Sequence, residues 1–503
     1  MTHGSLTLEM LIALSVLTTT LVGSTLLLFG GEDNALDIRH TLIAELQDHT
    51  DLANLLSTLQ KNIHAHATRT TGTSTETYIS PCAKKISSKN ERYTSHNFIE
   101  STTYSMVVGS VSEAKKLGEN CDPFPPADTW KPYGSIASTT VNGATSTDIA
   151  LSTTHGIPYA FVTTVSASTS APDLFIFDVS HTTDPILVAS VDTGTGINGI
   201  SIAGDFAYIL ENANTNQLKV LNISDPLHPT VIATRSLPNI SFTCSPTTEP
   251  CLSGKSIFYY DGRIYLGTGY IAFGATSAYN NEFHIFCVDD TKISGCSPAN
   301  PVWLGSLNIN HTIHDIVVQD SLAYLATSDD TGELMLVDIT HPESLKHPDV
   351  THMKFDAQTI TNDASTEDGR SVFVLGSTVY LGRQRVNTSA ERELYILDTS
   401  KPDNITVRIA LNVSMKNNAE YVSGIVAQGD LLFVSTTNST EPLLTFSQTY
   451  TDTGNVGGIQ KNILCGTTGG SKIGHIVYRN DLLFTVNQTN ALMQILQHKD
   501  SCS

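Results

Sequence analysis

At 503 residues the chain is longer than one ordinary domain needs, so one large repeat domain or about two to three smaller ones is expected, with ample surface to bury. Charged residues are 15% of the chain and the formal net charge is −21, which describes a solvated acidic surface and argues against nucleic acid as a ligand. The body is dense in Ser, Thr, Gly and Asn and poor in Lys and Arg, a composition of secreted, strand-rich domains.

The first predicted element is a helix. From Met10 to Phe29 there is no charge, a length that crosses a bilayer. A secretory signal would place basic residues ahead of the apolar run. Here Gly4 and Ser5 precede it, and Glu9 lies just inside. A carboxylate at that depth costs about 2.5 to 3.5 kcal/mol on insertion scales and needs a partner. Beyond Gly30 and Gly31, Leu52, Leu55, Leu56, Leu59 and Ile63 form one apolar stripe at helical spacing, carrying the expected helix to about His66.

The stretch GSLTLEMLIAL resembles the prepilin signal of type IV pilins and pseudopilins. The resemblance implies cleavage after Gly4 by a prepilin peptidase, methylation at Ser5, and assembly in which the Ser5 ammonium meets the Glu9 carboxylate of another copy. The expected precursor lies in the cytoplasmic membrane, and the mature chain lies in an extracellular, pilus-like helical homopolymer built with the pilus machinery. The expected divisions are a leader at 1–4, a long helix at 5–66 (its membrane part about 5–29), a stapled subdomain at 67–131 and a repeat domain at 132–503.

Residues 67–131 are rich in Thr and Ser and end in the run CDPFPPADTWKP, which reads as a boundary. The chain has eight cysteines and no CxxC pair, so disulfides in an oxidising compartment are favoured over zinc, with free buried thiols as the alternative. Sequential pairing joins Cys82 to Cys121, Cys244 to Cys251, Cys287 to Cys296 and Cys465 to Cys502.

After this boundary the chain repeats itself. Apolar–aromatic–apolar triplets are centred on Phe161, Tyr208, Tyr265, Tyr324, Tyr380, Phe433 and Phe484, at spacings that suit four-stranded propeller blades. Second apolar strands follow in LFIFDVSHTTDP, LKVLNISDP, LMLVDITHP and LYILDTSKP, where Asp or Asn bonds its own backbone and Pro presets the turn. These segments resemble the LVIVD-type repeat of bacterial surface propellers. The last repeat has room for three strands, and GSIASTTVNG at 134–143 is expected to supply the fourth and close a seven-bladed ring. The expected fold class is therefore α+β, a long N-terminal helix followed by an all-β propeller.

No GxSxG, HExxH or Walker motif stands in a suitable context, so neither an enzyme nor a cofactor is expected. His314 with Asp315, and His475, open inner-strand segments and are candidates to face a central channel, against a plainer role as satisfied strand-end groups. Asp329, Asp330 and Glu333 are candidate calcium ligands, although their spacing fits no EF-hand and a solvated hairpin tip is the better reading. Eight Asn-x-Ser/Thr sites, Asn222, Asn239, Asn310, Asn387, Asn404, Asn412, Asn438 and Asn487, are near what this composition gives by chance. The expected function is a filament subunit displaying its head for adhesion or surface recognition. The alternative is a minor or tip pilin, a pseudopilin, or a membrane-tethered propeller that binds a surface ligand without forming a filament.

Overall fold

The computed structural model describes residues 70–93, 99–109, 111–118, 121, 133–139, 144–166, 171–213, 215–238, 253–270, 281–289, 293–345, 353–356, 367–385, 392–413, 420–450, 456–461, 472–488 and 492–498. Seven four-stranded sheets make a β-propeller. Its inner strands are Ala144–Thr154, Ile197–Ala203, Gly254–Tyr260, Ile313–Gln319, Gly369–Leu375, Val422–Gln428 and Ile473–Arg479. They pack side by side around the axis.

Strand length and burial follow from the repeat. Leu174–Asp178, Leu218–Asn222, Leu334–Asp338 and Leu394–Asp398 are five-residue apolar runs, covered on both faces except at the terminal Asp or Asn and, in Leu218–Asn222, at Lys219. Runs so short, bounded by turn residues and buried on both sides, read as central strands rather than helices. All seven predicted triplets lie on the second strand of their blade, as in Ile264–Tyr265–Leu266, where every residue is 1% exposed or less. The core is a set of seams between adjacent blades. Ile197, Ile200 and Ile209 of blade 2 meet Phe161 and Ile176 of blade 1, and Tyr380 and Ile396 of blade 5 meet Val422 and Ile425 of blade 6.

The ring closes as the sequence anticipates. Tyr133–Thr139 pairs antiparallel with Met493–His498, so the earliest strand of the ring completes the last blade, with Met493 opposite Thr139 and His498 opposite Tyr133.

Ahead of the ring, Thr70–Ser80, Ala83–Tyr93 and Ile99–Gly109 form a three-stranded sheet, followed by a helix, α1, at Val111–Leu117. Cys82 is bonded to Cys121 and Cys287 to Cys296, with Cα–Cα distances of 6.1 and 5.8 Å. Cys244, Cys251, Cys465 and Cys502 lie outside the described residues. By contacts the chain divides into one unit of 1–71 with 91–101 and a second of 72–90 with 102–503.

The α+β class is corrected to all-β. Among the described residues the helical elements are α1 and a three-residue turn at Pro342–Ser344, and no helix is long and apolar enough to cross a membrane. The apolar stretches described here are strand-length and paired laterally, so they satisfy their backbones in sheets. The helix expected at 5–66, with Gly4, Ser5 and Glu9, lies outside the described residues. Among the described residues nothing supports a transmembrane helix, a pilin or a helical polymer.

Candidate functional site: the central channel

Each inner strand carries a one-residue bulge where it pairs with the second strand, between Ile313 and Asp315, Gly369 and Ser371, Val422 and Gly424, or Ile473 and His475, for example. A bulge leaves one residue unopposed and re-aims its side chain. The bulged residues are Thr147, Asn198, Lys255, His314, Arg370, Ser423 and Gly474, one per blade at one level, and all seven line a cavity of about 470 Å³ along the axis. The next residue is Asp148, Gly199, Ser256, Asp315, Ser371, Gly424 or His475, followed by a ring of Ile or Val, as in Ile149, Ile257 and Val372. The channel thus has a polar end where the inner strands start and an aliphatic waist below it.

The other end meets the stapled segment. Pro81, Glu113, Leu117 and Cys121 of the stapled segment line the cavity there. The segment is bonded to hairpin turns of the ring, with Gly429 N donating to the Ile79 carbonyl at 2.6 Å and Asp261 N to the Lys116 carbonyl at 2.7 Å. Leu117, Cys82 and Cys121 join the seam of blades 3 and 4. Gly376, in a third turn, has φ +62°, and any Cβ there would strike the Tyr78 ring, so glycine is required twice over.

At the polar end Asp148 and Asp315 act as latches between blades. Asp148 accepts from Ile149 N at 2.8 Å and from Ile200 N of the next blade at 2.9 Å. Asp315 accepts from Ile316 N at 2.8 Å and Val372 N of the next blade at 2.9 Å. Burial still dominates Asp315 and pushes its pKa up to about 6, against the backbone donors and His475. His475 Nδ1 lies 2.7 Å from Asp148 Oδ1. Burial opposes a charge on that imidazole, but Asp148 and Asp315 outweigh it and raise its pKa.

Between blades 4 and 5 the polar groups form a chain. Asp368 Oδ2 is 3.2 Å from His314 Nε2 and 2.8 Å from Arg370 Nη2. Arg370 Nη1 is 3.2 Å from His314 Nδ1, Nε donates to Gln384 at 3.0 Å, and the guanidinium stacks 5.2 Å from the Tyr421 ring centre. Burial, only partly offset by Asp368, lowers the His314 pKa. Burial works to raise Asp368, but His314 and Arg370 hold it below the usual carboxylate range.

The sequence candidates fall into two groups. His314, Asp315 and His475 do reach the channel. Asp329, Asp330 and Glu333 do not converge: Asp329 pairs with Lys354 at 3.0 Å, while Glu333 turns into the seam to meet Arg383 at 2.7 Å. Among the described residues no three His, Cys, Asp or Glu side chains gather in a metal-holding group.

Sequence reasoning missed Asn198, Lys255, Arg370 and Ser423 at the bulges. The signal was present as TDI, NGI, KSI, HDI, RSV, SGI and GHI, once per repeat. It also missed a buried acceptor just before the third strand, namely Asp173, Gln217, Glu282, Glu333 and Glu393 in blades 1 to 5. Four of these receive backbone N–H groups from the linker to the next blade. Thr193 N donates to Asp173 at 2.8 Å, Leu237 N to Gln217 at 3.1 Å, Ile309 N to Glu282 at 2.8 Å and Val413 N to Glu393 at 2.9 Å. In blade 4, Glu333 takes Arg383 instead.

Comparison with known proteins adds the repeat family. Residues 159–193 and 197–234, in blades 1 and 2, match the LVIVD repeat, so the chain carries LVIVD repeats. Among solved structures, Sqt1 from Chaetomium thermophilum is 13% identical with a TM-score of 0.45, covering 74% of this chain and all of that one. YCF48 bound to D1 peptide is 14% identical with a TM-score of 0.43, covering 76% of this chain and 99% of that one. No curated protein matches the chain.

Proposed function

We propose that this propeller is a recognition module acting outside the cytoplasm in adhesion or surface recognition, without catalysis of its own, and that its ligand seat is the polar end of the central channel. The observation that carries the reading is the channel itself, a cavity of about 470 Å³ lined at one end by the stapled segment and ringed at the other by one re-aimed side chain per blade. A concave, mostly apolar pocket with a few convergent polar groups is the ordinary form of a ligand site. The two disulfides of the described residues favour an oxidising compartment. The net charge of −21 favours a partner other than nucleic acid.

The test is binding of the purified full chain to arrays of immobilised polysaccharides and proteins, beside Gly474→Trp. A Cβ at Gly474 meets only ordinary contacts, from 3.4 Å to Gln488 outward, so a side chain can begin there, and an unchanged melting curve of the variant shows that the blade accepts the indole. Loss of binding in this variant is expected. A surface bound equally well by both proteins moves the recognition site off the channel.

A further inference from the structure

We infer that the outer rim of blades 1 to 3 is a second docking surface, which takes a polypeptide segment presenting apolar side chains flanked by Lys or Arg. The inference stands apart from the channel and rests on a different part of the molecule.

Among the described residues the exposed large apolar side chains are Ile157, Ile186, Leu187, Leu227, Val231 and Trp303, and all six belong to blades 1 to 3. Leu187, Val231 and Trp303 occupy one place in the repeat. Each is the second residue of its outer strand, Ile186–Val191, Thr230–Arg235 or Val302–Leu307, and stands opposite the penultimate residue of the third strand, Phe177, Leu221 or Phe286. They are 46%, 45% and 40% exposed. Ile186 directly precedes Leu187, and Leu227 lies in the turn that leads into Thr230, so apolar surface recurs at one corner of three successive blades. Burial raises the pKa of Tyr159, and Asp178 of blade 1 and Asp225 of blade 2 both raise it further, which places these two outer turns near each other.

Other blades treat this edge differently. In blades 4, 5 and 6 the outer strand carries a cation paired within its own blade: Lys354 with Asp329 at 3.0 Å, Arg408 with Asp398 at 2.6 Å and Lys461 with Glu441 at 2.9 Å. In blade 7 the outer strand, Tyr133–Thr139, exposes Ser135 and Ser138. Charged or small polar residues on an outer strand discourage association along it. Ile186–Val191 and Val302–Leu307 contain no charge, and the blade 2 strand has only Arg235 at its far end, bonded to the Pro301 carbonyl and to Asn300. Exposed apolar residues scattered singly need no explanation, but six confined to three adjacent blades of seven mark an interaction surface.

The setting of the apolar residues selects the partner. Among the described residues of the outer turns and outer strands of blades 1 to 3, the carboxylates are Asp178, Asp184, Asp192, Asp225 and Asp289, and the one permanent cation is Arg235. His181 and His228 stand among them, His228 at 2.8 Å from Asp225, and the acids outnumber the bases even with both imidazoles protonated. Ile186 is directly opposite Asp178 in the ladder, so apolar and acidic groups alternate along this corner. Apolar anchors ringed by charge are the usual anatomy of a protein interface, with Trp enriched at its centre. Carboxylates around the anchors repel anionic lipid headgroups, and on a second copy of the chain they would meet themselves. Lys or Arg beside the partner's apolar residues gives the complementary field.

A displayed library of random peptides, selected on the full chain, is the probe. Enriched peptides should combine apolar residues with Lys or Arg. Titrated by fluorescence anisotropy, the tightest of them should bind at least about tenfold more weakly to Trp303→Ser and to the double variant Leu187→Ser with Val231→Ser. Asp178→Asn with Asp225→Asn should give a smaller loss and a weaker dependence on salt. Gly474→Trp should bind the peptide as the parent does. The inference is overturned by an absence of enrichment, by enriched peptides without basic residues, or by affinity unchanged in both apolar variants with unchanged melting curves. If Trp303→Ser fails to fold, the Leu187 and Val231 pair decides. Loss of the peptide in Gly474→Trp with retention in the rim variants moves it to the channel, which overturns the rim and leaves the channel reading standing. Binding to phosphatidylcholine vesicles, or self-association in sedimentation, that the rim variants abolish would replace the peptide by a bilayer or a second copy.

Discussion

The two faces of the ring are held by different interactions. On the strand-start face, behind the channel end, charged groups are buried and paired: Arg383 with Glu333, Lys354 with Asp329 and Lys219 with Glu211, all with side chains 15% exposed or less. On the turn face the devices are local or covalent, apart from Arg408, which pairs with Asp398 at 2.6 Å. Asp178, Asn222, Asp338 and Asp398 each accept from the N–H two residues on, and the stapled segment covers the axis. Blade 3 shows the substitution of one device for the other, because the position of the turn Asp is held by Cys287, bonded to Cys296. The lesson is that a buried charge needs its partner, whereas a turn acceptor exposed to water has a substitute at hand.

Variants make that contrast measurable. The largest effect is expected at the strand-start face, where Arg383→Met removes the guanidinium that pairs with Glu333 and Glu367, buried in a seam at 0% and 3% exposure. Loss of about 3–5 kcal/mol in denaturant unfolding is expected. A loss below about 1 kcal/mol, the cost of an exposed pair, would show the seam reaching water. Next comes the double variant Cys82→Ser with Cys121→Ser, which removes a 39-residue closure and should lower stability by about 3 kcal/mol.

A pH experiment tests the same face through Glu282. Burial pushes its pKa up to about 7 from an ordinary 4.5, despite the N–H groups of Ile309 and Asn310, and its Oε1 has no hydrogen-bond partner among the described residues. A raised carboxyl pKa means the folded state binds the proton more tightly than the unfolded one. The stability this adds is complete below about 4.5 and is lost as pH rises through about 7. Glu282→Gln keeps an acceptor without the charge, so it should melt at a higher temperature than the parent at pH 8 and nearly with it at pH 4.5. The opposite ordering would mean that Glu282 gains more from its donors than it loses to burial. The smallest effect belongs to the turn face. Asp338→Ala removes an acceptor of Thr340 N at 2.9 Å beside water, and about 0.5–1 kcal/mol is expected from equilibrium unfolding.

The seven triplets, the Asp turns and the closing strand were legible because each is a local pattern with a local cause: a strand buried on both faces must be continuously apolar, and a turn Asp bonds its own backbone. The bulge residues and the buried acceptors repeat just as regularly, yet their meaning depends on what stands opposite them. Lys255 and Arg370 lie 115 residues apart by their numbers and share a channel level only because each occupies the bulge of its own blade. The calcium candidates failed for the same reason, since Asp329 and Glu333 are close in sequence but face different neighbours.

By itself, then, the sequence determined a ring of seven repeats, its closure, and an acidic surface poor in cations, because strand burial, turn chemistry and net charge are properties of short segments or of the whole composition. Tertiary structure alone decided that the stapled segment lines one end of the channel and that one bulged side chain from each blade rings the other. Both depend on which blades come together around the axis, and side chains from separate repeats meet only once the ring has closed.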